Sequence, residues 1–161
     1  MSEKLNSLKE KLVSIKEFSA LKITEINNYP YLEVPVNKII EISKILKYEL
    51  GFDLLVDIVG VDRFTKKNRF ELIYNLWSVE GNNRVFMRII LDSKKPEVES
   101  VSSIWETANW EEREAYDMFG IIFSNHPDFR RIYMMDEFEY FPLRKDFPLM
   151  GIPGSIQLPK K

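Results

Sequence analysis

LLVDIVGVDRFTKKNRFELIYNLWSVEGNNRVFMRIIL, residues 54–91, decides the fold. Three runs in it are rich in Val, Ile, Leu, Phe, Tyr and Trp and short enough to be strands: 54–62, 70–79 and 85–91. Glu80-Gly81-Asn82-Asn83 separates the last two and reads as a hairpin turn. Asp57 and Asp62 sit in or beside the first run, and simple alternation puts Asp57 on one face with Leu55, Val59 and Val61. A functional acid is one reading; a carboxylate paired to Arg69 or Arg88 on a neighbouring strand is the favoured one, since buried charges are normally paired.

Upstream, Leu5, Leu8, Leu12 and Ile15 recur at helical spacing among lysines and glutamates and predict an amphipathic helix. Residues 21–26 and 31–35 are short β-prone runs joined by the turn signal Asn27-Asn28-Tyr29-Pro30. Pro35 then opens a helix over 36–50 whose apolar face is Ile39, Ile42, Ile45, Leu46 and Leu50, and Gly51 ends it. Strands clustered apart from helices define an α+β fold: two layers, a largely antiparallel or mixed five-stranded sheet with helices on one face, plus an extended C-terminal tail. The expected division is an α+β domain over 1–123 and a partner-binding tail over 124–161.

Downstream, the region from Trp105 to Gly120 is helical, with Val101, Ile104, Trp105, Ala108, Ala115 and Phe119 on one side. Glu112 falls within that stripe. Asn109 could cap a helix there, with Glu112 returning a bond to the Asn109 backbone, which splits the region near Thr107. A single helix started by Ser102 or Ser103 is the alternative. The other face carries Trp110, Arg113, Glu114 and Asp117. It reads either as a docking face, since Trp and Arg anchor interfaces, or as a solvated face with an Arg113–Asp117 pair.

From Phe123 the periodicity stops. Pro127, Pro142, Pro148, Pro153 and Pro159 are more than half of the chain's eight prolines, and proline blocks helix interiors and central strands. Large apolar residues persist through Phe129, Tyr133, Met135, Phe138, Phe141 and Met150. Such a segment needs a surface. It can wrap over its own domain, but draping over a partner chain is the more economical reading.

Composition narrows the chemistry. The 161 residues make one domain, able to bury roughly 70% of its unfolded surface. A net charge of −2 supplies no positive field for nucleic acid or anionic lipid. With no cysteine there are no thiolate ligands for zinc or iron–sulfur clusters. His126, the single histidine, lies near Asp128, Glu111, Glu112, Glu114 and Asp117. One histidine without cysteine is a poor transition-metal set, and His126-Pro127-Asp128 reads as a turn. Arg130-Arg131 and Arg144-Lys145 fit salt bridges to an acidic partner surface better than a phosphate site. No run approaches a membrane span or the apolar core of a signal peptide. Read this way, the chain is a folded domain with a partner-binding tail and no evident active site.

Residues 110–132, WEEREAYDMFGIIFSNHPDFRRI, resemble the signature of the 30-kilodalton subunit family of respiratory complex I. The core elements are Glu112-Arg113-Glu114, Asp117, Phe119-Gly120-Ile121, His126-Pro127-Asp128 and Arg130-Arg131-Ile132. The likeness extends upstream through Ser100-Val101 and Ala108-Asn109-Trp110, and downstream to Pro142-Leu143-Arg144-Lys145-Asp146-Phe147-Pro148-Leu149. Asp57 and Asp62 within VDIVGVDR also fit. The resemblance implies a cofactor-free structural and assembly subunit of the peripheral arm of a proton-translocating NADH:quinone oxidoreductase. It implies docking on the 49-kilodalton quinone-site subunit, with flavin (FMN) and iron–sulfur clusters carried by partner subunits. The motif residues Trp110, Glu112, Arg113, Glu114, Asp117, His126, Asp128, Arg130, Arg131, Arg144, Lys145 and Asp146 are then the expected partner interface. The free-standing form of the family is expected, of prokaryotic or organelle-encoded origin, on the cytoplasmic face of its membrane. Relatives in membrane-bound hydrogenases and other-donor dehydrogenases form the alternative.

Overall fold

The computed structural model describes residues 10, 15–18, 21–65 and 67–148. The helix expected from Leu5 to Ile15 lies outside these residues, except for Glu10 and Ile15. The described elements run β1 (Lys22–Ile26), β2 (Tyr29–Glu33), α1 (Ile39–Lys44), β3 (Leu54–Asp62), β4 (Phe70–Ser78), β5 (Asn83–Leu91), β6 (Glu97–Glu99), α2 (Ala108–Phe119) and β7 (Ile122–Ser124).

Five strands form one sheet in the order β1-β2-β5-β4-β3. All neighbours are antiparallel except β2 and β5, which run parallel, so the sheet is mixed. The β1–β2 connection is a two-residue turn with Asn27 and Asn28 both at positive φ (53° and 64°), the geometry that matches the twist of a hairpin. Pro30 is tolerated in β2 because pairing with β5 begins only at Tyr31.

The register writes out the buried face. Leu32, Met87, Tyr74 and Ile58 lie in one row across the sheet, and Leu91, Phe70 and Asp62 in another. Both helices pack on this face. Ser43 of α1 donates to the Met87 sulfur. On α2, the Phe119 ring fills the space above Gly60, where an added Cβ would meet it at 2.6 Å. The Trp105 indole N–H donates to the Phe52 carbonyl (3.0 Å), and Lys47 donates to the Ile104 carbonyl, tying the two helical regions together.

Three expectations change. In β3 a bulge at Val56 shifts the register, so Leu55 opposes Leu76 while Asp57 opposes Asn75. Asp57 therefore shares a face with Val59 and Val61 but not with Leu55. The second helix is composite: a 3-10 turn at Val36–Lys38, α1, then a π-helical turn at Ile45–Glu49 ended by Gly51 at φ 70°. Finally, β6 and β7 form a small parallel pair, too short for periodicity to reveal.

Candidate docking site

Helix α2 begins at Ala108 and ends at Gly120, a left-handed C-cap with φ 72°. The helix does start near Thr107, but Glu112 does not return to the Asn109 backbone. It points into the core, fully buried, and accepts the Val101 N–H at 2.8 Å and the Ser100 hydroxyl. Its second oxygen has no hydrogen-bond partner and lies 4.0 Å from His126 Nε2. Burial outweighs these bonds and pushes the Glu112 carboxyl up to about 7.

His126 holds the turn after β7. The Asp128 N–H donates to Nδ1 (3.1 Å), so the proton sits on Nε2, which donates to the Asn109 carbonyl (3.1 Å). Burial lowers its pKa. The histidine is thus a neutral strut between the start of α2 and the chain leaving β7.

The face of α2 with Trp110, Arg113, Glu114 and Asp117 is not uniformly solvated. Trp110 is 62% exposed, and Glu114 is exposed. Arg113 and Asp117 are buried beneath the tail, and they do not pair with each other. Arg113 stacks its guanidinium 4.7 Å from the Trp110 ring, donates to the Arg130 carbonyl (3.1 Å) and lies 3.6 Å from Asp128. Asp128 is also bonded by Arg130.

Asp117 is the centre of the arrangement. Its Oδ2 accepts the backbone N–H groups of Ile132 (3.1 Å), Tyr133 (2.6 Å) and Met134 (3.0 Å), and its Oδ1 accepts from Arg131 Nη1 (2.6 Å). Burial would raise this carboxyl, but the three N–H groups and Arg131 outweigh it and hold its pKa below the ordinary value. Arg131 also donates to the Tyr140 carbonyl (3.3 Å), closing residues 132–139 into a loop.

A second fastening lies further along. Arg144 donates to the Phe119 carbonyl (2.5 Å), with its guanidinium against the rings of Phe141 and Phe70. Leu143 N–H bonds the Met118 carbonyl. Gly120 makes this approach feasible, since a Cβ there would meet the Phe141 ring at 2.6 Å. Asp62 accepts a two-pronged bond from Arg69 (3.0 and 2.8 Å) and the N–H groups of Phe64 and Lys145. Burial opposes its charge, yet these donors keep the carboxyl at about 2. Arg69 reaches on to Asp146.

Of the expected strand pairings, Asp62–Arg69 is present. Asp57 pairs with neither arginine; it lies beside Glu111, which accepts the Ile58 N–H at the edge of β3. Arg88 instead binds Glu71 and Glu33, and Arg63 joins Glu71. Sequence reasoning missed the role of Arg69 as a link to the tail, and of Phe70 and Phe141 as the walls around Arg144. The available signal was Arg69 itself, already expected to pair with a strand acid, whose guanidinium has donors to spare for a second carboxylate.

Chemically, the cluster is closed. The carboxyl of Asp117 is fully buried and taken by four donors, and Glu112 and His126 are buried side chains. No group of three His, Asp or Glu side chains among the described residues is placed to hold a metal. No described helix is long and apolar enough to cross a membrane. One side of the tail grips α2 and β3, while Tyr133, Met135, Tyr140 and Leu143 face outward, each at least 45% exposed.

A mixed sheet with helices on one face and a clasped tail defines an α+β domain that presents exposed apolar side chains. Residues 32–153 match the family described as the respiratory-chain NADH dehydrogenase 30 Kd subunit, and the chain belongs to that family. It is 50% identical over 125 residues to the NADH-quinone oxidoreductase C-subunit 2 of Rhizobium meliloti (strain 1021), covering 76% of this chain and 68% of the relative. It is 41% identical over 144 residues to the NADH-quinone oxidoreductase C-subunit of Geotalea uraniireducens (strain Rf4), covering 89% and 85%. Among solved structures, the trypsin-resistant fragment of Nqo5 superposes with a TM-score of 0.66 at 30% identity, covering 78% of this chain and 98% of the fragment. A chain of the archaeal membrane-bound sulfane sulfur reductase shares the fold, with a TM-score of 0.78 at 23% identity over 90% of this chain and 86% of that one.

Proposed function

We propose that this chain is a structural and assembly subunit of the peripheral arm of an NADH:quinone oxidoreductase, without a cofactor of its own. It docks on the 49-kilodalton quinone-site subunit at the cytoplasmic face of the membrane, and the FMN and iron–sulfur chemistry resides on partner subunits. The relatives at 50% and 41% identity carry the name of an NADH-quinone oxidoreductase component, which favours NADH as the electron source. The likeness to the sulfane sulfur reductase is one of fold, so the hydrogenase and other-donor readings have less support.

One observation carries the proposal. The charged motif residues Asp117, Arg131 and Arg144 are turned inward to hold the tail, and Tyr133, Met135, Tyr140 and Leu143 are left outside. An exposed apolar surface on a rigid support is the mark of an interface. In this reading residues 124–161 bind the partner while the motif sets the tail's shape. A second class, an acid–base enzyme using Glu112, Asp117 and His126, finds no support in groups this buried and committed. His126→Ala separates the two readings: loss of the strut should lower incorporation into the complex, whereas an enzyme would lose turnover with assembly intact. The direct test is purification through an epitope tag on the full chain. Recovery of quinone-site, flavin and iron–sulfur subunits in one complex is the expected result, and recovery of the chain alone would refute the proposal.

A further inference from the structure

The tail's charges are sorted by direction. Arg131 and Arg144 point into the domain, and Arg130 is closed on Asp128. Within the loop that Arg131 closes, Asp136, Glu137 and Glu139 are exposed. None of the three faces a cation among the described residues. They flank the exposed apolar side chains of Tyr133, Met135, Tyr140 and Leu143. Phe138, between the acids, turns the other way and packs on Tyr140 and Phe147. The loop thus exposes apolar and acidic side chains together, the two ingredients of a protein interface.

From this sorting the geometry points to a partner surface that is basic: Lys or Arg side chains bordering an apolar recess that receives Met135 and Tyr140. The inference rests on the docking reading given above and adds the partner's chemistry. It reverses the expectation from sequence, where Arg130-Arg131 and Arg144-Lys145 pointed to an acidic partner. Of those cations, only the Lys145 ammonium remains exposed without a facing acid among the described residues. Two other occupants are disfavoured by the same charges. An anionic lipid surface would repel three unpaired carboxylates, and a second copy would set like loops against each other.

The test uses the tagged full chain assembled in its cell and purified as the complex. The triple variant Asp136→Lys/Glu137→Lys/Glu139→Lys should lower recovery of partner subunits by about tenfold, since like charges across an interface strongly disfavour it. The amide variant Asp136→Asn/Glu137→Gln/Glu139→Gln should lie between, and the loss of partners seen for the natural chain as salt is raised should flatten in it. Should the lysine variant fail to accumulate, the amide variant's salt dependence decides: flattening supports a basic partner, and an unchanged dependence overturns it. If the charge variants assemble normally but Met135→Asn with Leu143→Asn loses the partners, the docking face stands and the basic partner is refuted. If all variants assemble like the natural chain, both the basic partner and the docking reading fall.

Discussion

Replacing Asp117 by asparagine should release the tail from α2. The carboxylate receives three backbone N–H groups within 3.1 Å and Arg131 at 2.6 Å, all in a site closed to solvent. Hydrogen bonds to a charged group contribute about 1.5–3 kcal/mol each, and breaking a buried ion pair costs about 3–5 kcal/mol. Asparagine keeps one acceptor oxygen, so part of the set survives, and Arg131 loses its charge partner. A local loss of about 3 kcal/mol follows from these magnitudes. Amide hydrogen exchange at Ile132, Tyr133 and Met134 reads it directly, because about 1.4 kcal/mol corresponds to a factor of ten. Exchange at the three amides should quicken by about a hundredfold while β4 and β5 stay protected. The pH dependence has a fixed sign. A carboxyl whose folded pKa lies below its ordinary value stabilises above the unfolded pKa, and the effect is lost as pH falls through the lower folded value. The natural chain should therefore lose protection of these amides in acid, and the asparagine variant should lack that step. Unchanged exchange in the variant would show that Asp117 does not hold the tail.

Glu112→Gln tests the opposite case. The Glu112 carboxyl is raised to about 7, so its contribution is full below about pH 4.5 and is lost as pH rises through 7. Denaturant unfolding of the natural chain should weaken by about 3 kcal/mol over that window, and the glutamine variant should be flatter. Gly60→Ala places a methyl group within 2.6 Å of the Phe119 ring, and overpacking of this kind costs about 1–3 kcal/mol, read as a lower Tm. Arg144→Met removes the bond to the Phe119 carbonyl and the stack on Phe141; cleavage by chymotrypsin after Tyr140 should become several times faster, with the β-sheet core intact.

Much of the sheet was legible because hydrophobic periodicity and turn residues agree there. Strands β3, β4 and β5 start and end within two residues of the apolar runs that announced them. The bulge at Val56 was not, since a single extra residue leaves composition unchanged yet flips every later side chain. The short β6–β7 pair was invisible because three residues carry no period. On α2 the pattern identified the apolar face correctly. It could not show that Arg113 and Asp117 of the opposite face would also be buried, because their cover comes from residues 14 to 17 positions later in the chain. The resemblance picked out the motif residues, and the structure supplies their physical reason for Asp117, Arg131 and Arg144: they bind the tail's own backbone and the helix end. The acceptor capacity of a carboxylate explains the choice at Asp117. Its two oxygens offer about four lone-pair sites, and the loop and Arg131 together bring four donors to them.

The central claim is that the motif clasps the tail inward so that its outer side meets another subunit. Hydrogen exchange of the full chain, compared free and within its purified complex, tests this most directly. The amides of Ile132, Tyr133 and Met134 should already be protected in the free chain through Asp117. The amides of Met135, Asp136, Glu137, Glu139 and Tyr140 should gain protection only on assembly, whereas Phe138 already donates to the Met135 carbonyl. Equal exchange of those five amides in the free and assembled states would show that the outer side meets no partner.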